Sequence, residues 1–90
     1  MTNTQELRYR TAIMRCIKAR PGTSGLSEEV ILESLADFHF DERDAGLLTT
    51  TLLQMQADGH IFSTPNPLKK SVLNWHLSDT GKELLKAAGF

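Results

Sequence analysis

At Gly59 the apolar period of this chain changes, and that change restricts the folds open to it. Upstream, apolar residues recur every three or four positions, the spacing of helices. Downstream, Ile61-Phe62-Ser63-Thr64 is short, apolar and aromatic. Val72-Leu73-Asn74-Trp75-His76-Leu77 then alternates, which puts Leu73, Trp75 and Leu77 on one face of a strand and Asn74 and His76 on the other. Pro65-Asn66-Pro67 between the two runs is a turn that neither a helix nor a central strand tolerates. Two strands around a long turn make a β-hairpin. Ser78 follows as the cap of a last helix over 79–88, contributing Leu84, Leu85 and Ala88.

Three helical segments precede the hairpin. Over 6–20, Tyr9, Ile13, Cys16 and Ile17, with Ala12 beside them, form one stripe, and Pro21-Gly22 stops the helix. Leu7 and Met14 lie seven apart, either at the edge of that stripe or on a second surface for a partner helix. After the loop Thr23-Ser24-Gly25-Leu26, Ser27 caps a second helix with Glu28 and Glu29 in its first turn, where the helix dipole favours acids. Val30, Ile31, Leu35 and Phe38 give this helix its apolar face, and His39-Phe40 breaks the pattern. Asp41 is expected to cap the third helix, with Asp44 in a capping-box-like position. Ala45, Leu48, Leu52 and Met55 share a face there, and Asp58-Gly59 ends the helix. The fold class read from this order is α+β, mostly α, in one domain over 1–90 with an ordered core over 6–88.

The chemistry-bearing residue types are sparse. Cys16 is the single cysteine, so no internal disulfide or cysteine-cluster metal site is available, and its place on the core stripe marks it as an inert buried thiol. His39, His60 and His76 have no metal-ligand spacing, and Gly22 and Gly25 are too few for a phosphate loop. Asp41 and Asp44 read as helix-start residues rather than a catalytic pair. No enzyme, cofactor or metal function is expected. No apolar run approaches the roughly 18 residues a membrane span needs. The polar start of the sequence and the lone cysteine fit a cytoplasmic, reducing compartment.

Charge carries more information by position than in total. The formal net charge is −1. Residues 1–25 hold Arg8, Arg10, Arg15, Lys18 and Arg20 against Glu6, a net +4. Residues 26–60 hold Glu28, Glu29, Glu33, Asp37, Asp41, Glu42, Asp44 and Asp58 against Arg43, a net −7. Residues 61–90 hold Lys69, Lys70, Lys82 and Lys86 against Asp79 and Glu83, a net +2. The near-zero total is a cancellation between segments of opposite sign.

Three helices, a hairpin and a closing helix resemble the winged helix-turn-helix domain. Met55-Gln56-Ala57-Asp58-Gly59-His60-Ile61 looks like the point where the third helix of such a domain ends on glycine and enters the wing. Trp75-His76-Leu77-Ser78-Asp79-Thr80-Gly81-Lys82-Glu83-Leu84-Leu85 is similar to the stretch leaving the second wing strand in bacterial regulators of the MarR and PadR kinds. The resemblance covers residues 6–88. It implies a small bacterial or phage transcriptional regulator, a homodimer, whose third helix enters the major groove of double-stranded DNA while the wing touches the backbone or minor groove. By position it implicates Arg43, Leu47, Thr50, Thr51 and Gln54 on the exposed face of that helix, and Asn66, Lys69 and Lys70 in the wing.

The third helix departs from a strong DNA-binding pattern, because between Asp44 and Asp58 it has no lysine or arginine. The alternative expectation is therefore a protein-interaction module. Its acidic face, Glu28, Glu29, Glu33, Asp37, Glu42 and Asp44 with Leu47, would dock on a basic partner protein. Self-association is open too, either by pairing the +4 and −7 segments or by an apolar interface through Leu7, Met14 and Phe90.

Overall fold

The computed structural model describes residues 2–20, 25–40 and 44–90. Its first element, α1 (Asn3–Ala19), starts three residues ahead of the helix expected from periodicity. The start is fixed by a capping box: the Gln5 N–H donates to Thr2 Oγ1 at 3.2 Å and the Thr2 N–H donates to Gln5 Oε1 at 3.0 Å. Such a cap satisfies the free amides of the first turn without needing an apolar residue there. Tyr9, Ala12, Ile13, Cys16 and Ile17 are all buried, as their spacing predicts. Leu7 and Met14 divide: Met14 joins the core, and Leu7 remains 67% exposed.

β1 (Leu26–Ser27) leads directly into α2 (Glu28–Ser34), capped by Ser27, whose Oγ accepts from the Val30 N–H. The helix tightens into a 3-10 turn at Leu35–Phe38. It ends as a Schellman motif: the Phe40 N–H donates to Leu35 O at 3.1 Å, with His39 left-handed at φ 67°. Phe40 then sets its ring edge-on against Tyr9, 5.5 Å between centroids.

α3 (Ala45–Ala57) is capped by Asp44, whose Oδ1 accepts from the Leu47 N–H at 3.0 Å. Asp44 is thus the cap itself and not its reciprocal partner; Asp41, expected in that role, lies outside the described residues, as do Pro21-Gly22 and Thr23-Ser24. Leu48, Leu52 and Met55 are buried, whereas Ala45 is exposed. The helix closes on a second Schellman motif, His60 N–H to Met55 O at 3.0 Å, with Gly59 at φ 79°.

β2 (Ile61–Pro65) and β3 (Leu73–Leu77) form the hairpin, registered Ile61 to Leu77 and Pro65 to Leu73. Pro65 is accommodated because β2 is an edge strand, with β3 in the middle of the order β1-β3-β2. The third strand is the element sequence periodicity missed. Two residues are too few to show a period, and β1 exists only through Leu26 and Ser27 pairing with Trp75 and Asn74. The approach depends on Gly25, where a Cβ would fall 2.6 Å from Trp75 O and 2.8 Å from the His76 ring.

This central position changes the burial of β3. Trp75 and Leu77 are buried as expected, and Asn74, expected on the open face, is buried as well. Strands flank it on both sides, and its Oδ1 accepts from Asn66 Nδ2 at 3.3 Å. Leu73, near the wing tip, is 40% exposed because the core does not extend that far. α4 (Asp79–Ala87) is capped by Ser78, whose hydroxyl accepts from the Gly81 N–H and donates to Gly59 O. Leu85 is buried, but Leu84 and Ala88, expected to join the core, are exposed.

The described elements form the winged helix-turn-helix arrangement: α2 and α3 are the helical pair, and β2 and β3 are the wing. No helix among the described residues is long and apolar enough to cross a membrane.

Candidate nucleic-acid interface

α3 contains no charged side chain between Ala45 and Ala57. With Leu48, Thr51, Leu52 and Met55 turned inward, the 3.6-residue period centres its outer face on Gly46, Thr50, Leu53 and Ala57, all exposed. Thr49, Gln54 and Gln56 flank that line.

The side chains proposed from sequence separate on this helix. Thr50 and Gln54 are exposed. Thr51 is 5% exposed, on the core side of the helix, with its hydroxyl donating to Leu47 O at 2.8 Å. Leu47 is half-buried and packed against the core, where the sequence reading had it on the open face. Arg43 and Glu42 lie outside the described residues. Leu53, which the sequence reading passed over, is 54% exposed at the centre of the outer face. The signal that could have found it was its spacing from Gly46 and Thr50, opposite the Leu48–Leu52–Met55 stripe.

Hydroxyls along α3 are turned back onto the helix. Thr49 donates to Ala45 O at 3.0 Å and Thr50 donates to Gly46 O at 3.0 Å. Thr49 also lies 2.8 Å from Glu28 Oε2, and Ser63 donates to Gln56 Oε1 at 3.3 Å. At the C-terminal end, Arg10 reaches across from α1. It donates to Gln54 Oε1 at 3.1 Å and Asp58 Oδ2 at 3.0 Å, while its own helix supplies Glu6 Oε1 at 3.0 Å. Arg10 therefore offsets part of the negative charge that Asp58, the acid that follows α3, and Glu6 place there.

The wing tip is held by one side chain. Asn66 Oδ1 accepts from the Leu68 N–H at 2.9 Å and the Lys69 N–H at 3.2 Å, while its Nδ2 holds Asn74. Backbone bonds from Asn66 N–H to Val72 O and from Val72 N–H to Lys69 O close the turn. Asn66, proposed as a contact residue, is half-buried and builds the tip; Lys69 and Lys70 stand exposed on it beside Leu68, which is 97% exposed. At the other end of the wing, His76 stacks on Phe62 at 4.8 Å between centroids and lies 2.8 Å from Thr64 Oγ1.

The acidic set does not surround an apolar centre. Glu29, Glu33 and Asp37 are exposed, Glu28 is half-buried beside Thr49, Asp44 is committed to its cap, and Leu47 packs inward. A groove of about 550 Å³ lies elsewhere, lined by Leu7, Arg8, Arg15, Phe38, Phe40 and Phe90 among others. Arg15 sits between two rings, its guanidinium carbon 4.6 Å from the Phe38 centroid and 3.9 Å from that of Phe90. Lys18 donates to the Phe90 carbonyl. Among the described residues no group of three His, Cys, Asp or Glu could hold a metal ion. Burial pushes the Cys16 thiol up to about 12, helped by the negative charge of Asp37.

No family model matches the sequence, and no curated protein matches it. Solved structures do match the fold. The S. aureus MepR–DNA complex superposes with a TM-score of 0.75 at 16% identity, over 96% of this chain and 68% of that one. The PcaV transcriptional regulator from Streptomyces coelicolor, solved with its natural ligand, gives 0.72 at 15% identity, over 96% of this chain and 51% of that one. Streptococcus pneumoniae FabT in complex with DNA gives 0.67 at 15% identity, over 99% of this chain and 52% of that one. The chain thus spans about half the length of PcaV and of FabT.

Proposed function

We propose that this chain binds double-stranded DNA as a transcriptional regulator, with α3 in the major groove and the wing tip on the phosphate backbone. The observation that carries the reading is the tip itself: two exposed lysines on a turn that Asn66 braces by accepting from two backbone N–H groups. A pre-shaped cationic tip loses little conformational freedom when it meets a phosphate. Arg10, shared between Asp58 and Glu6, offsets part of the negative charge at the end of α3 and so lowers part of the electrostatic cost of approach. Two structures of the same fold, MepR and FabT, were solved on DNA, which supports the reading.

With only Lys69 and Lys70 as tip cations, one copy makes few phosphate contacts. We therefore propose that it acts as a homodimer, which doubles them, and the exposed Leu7 and Phe90 offer apolar surface for the pairing. The affinity for a random duplex, followed by fluorescence anisotropy, should fall with salt. Each phosphate contact contributes roughly 0.9 to the log–log slope, so replacing both lysines by alanine should flatten it by about 1.8 per bound copy. Unchanged affinity and slope in that variant would show the docking to be wrong. Light scattering in the same buffers gives the mass, and an apolar pairing keeps its mass as salt rises.

A further inference from the structure

We propose that α3 reads thymine by its C5-methyl group, through an apolar outer face centred on Leu53. The inference rests on the DNA-binding reading above and names what the helix would recognise there.

Three observations carry it. The outer line of α3 is Gly46, Thr50, Leu53 and Ala57, which contributes one leucine, one threonine and two small residues to solvent. Thr50 spends its hydroxyl proton on Gly46 O at 3.0 Å, which leaves its oxygen as an acceptor only, beside the methyl of an exposed side chain. The polar flanks spend their oxygens within the protein: Thr49 bonds Ala45 and Glu28, Gln54 Oε1 accepts from Arg10 and Gln56 Oε1 accepts from Ser63, so the two glutamines offer the groove their amide N–H donors alone. Charge points to base edges as the occupant: α3 has no side-chain charge to meet a phosphate, while the wing tip has two.

The major groove presents one apolar group, the thymine methyl, and it is absent from the other three bases. A leucine standing 54% in water gains most from that group. Burying one methyl is worth about fourfold in affinity, equivalent to roughly 0.8 kcal/mol. Gly46 adds access, because without a side chain at that position the helix backbone can approach the base edges closely. The expected preference is for A·T-containing sites in which thymine methyls line the groove at the positions facing Leu53 and Thr50.

The test compares two duplexes about two helical turns long, of alternating A and T, identical except that one carries deoxyuridine for thymine. Both are measured by anisotropy at about 50 mM salt, beside a G·C duplex. The full chain should bind the thymine duplex at least fourfold more tightly than the uridine one. Leu53→Ala should lose that ratio while keeping the wild-type unfolding midpoint, since Leu53 lies outside the core. Replacing Lys69 and Lys70 by alanine should weaken both duplexes alike and keep the ratio. Equal binding of the thymine and uridine duplexes, still dependent on the lysines, would overturn methyl readout and leave DNA binding standing. No binding to any duplex would overturn both.

Discussion

Arg10 and Asp58, 48 positions apart in sequence, are joined by a 3.0 Å ion pair that ties the middle of α1 to the residue ending α3. The same guanidinium holds Glu6 and Gln54. Both partners of the ion pair are partly in water, so each exposed contact is worth about 0.2–1 kcal/mol. Arg10→Ala should therefore lower the unfolding free energy by about 1 kcal/mol. The loss should shrink between low and high salt in urea denaturation, because the charges are screened. It should also weaken DNA binding, by leaving Asp58 unpaired at the end of α3.

Gly81 and Gly46 should respond to alanine with opposite signs. A Cβ at Gly81 would lie well inside contact distance of the His60 carbonyl, a backbone atom that already accepts from the Ser78 N–H at 3.1 Å. Gly81→Ala should cost about 1–3 kcal/mol and displace α4 from the wing exit. A Cβ at Gly46 meets only Asp44 Oδ1, at 3.4 Å, so Gly46→Ala should gain about 0.5–1 kcal/mol from helix propensity. Thermal melts of the two variants settle both signs.

Leu52 and Leu68 mark the extremes of leucine burial, 0% and 97% exposed. Leu52→Ala should cost about 2.7–5 kcal/mol, since it removes buried methyls and leaves a cavity between α3 and its neighbours. Leu68→Ala should change stability by less than about 0.5 kcal/mol. Guanidinium denaturation at one pH is sufficient to measure both.

Cys16 should be silent to thiol reagents in the folded protein and reactive once it unfolds. Its thiol titrates near 12 when folded, above the ordinary value of 9.0. A raised acid favours the folded state while it stays protonated, so the contribution is complete below pH 9 and is lost as pH rises toward 12. Cys16→Ala should have a flatter stability profile across that window than the parent, as read from denaturation midpoints.

The helices were legible because their evidence is local. Tyr9, Ile13, Cys16 and Ile17, and then Leu48, Leu52 and Met55, repeat at the helical period, and each set is buried. Helix starts were less legible. Thr2 and Gln5 begin α1 by a hydrogen-bonded cap that has no apolar period, so the helix begins earlier than its stripe. The candidate interface was legible only in outline. Thr50, Lys69 and Lys70 are exposed, but Thr51 and Leu47 are turned toward the core and Leu53 away from it. These three lie within seven positions on one helix, where an error of a fraction of a turn in orienting the helix exchanges inside for outside.

Sequence alone determined the order of the helices and the hairpin, the caps at Ser27 and Ser78, the break at Gly59 and the burial of Trp75, because each depends on residues within a turn or a strand of one another. Tertiary structure decided the rest. β1 exists only because Gly25 lets Leu26 approach Trp75, and that pairing makes β3 central and buries Asn74. It also brought Arg10 to Asp58, so that part of the positive charge near one end of the chain offsets part of the negative charge in its middle. Coulombic pairing depends on distance in space, and a chain that folds back on itself sets that distance independently of separation along the sequence.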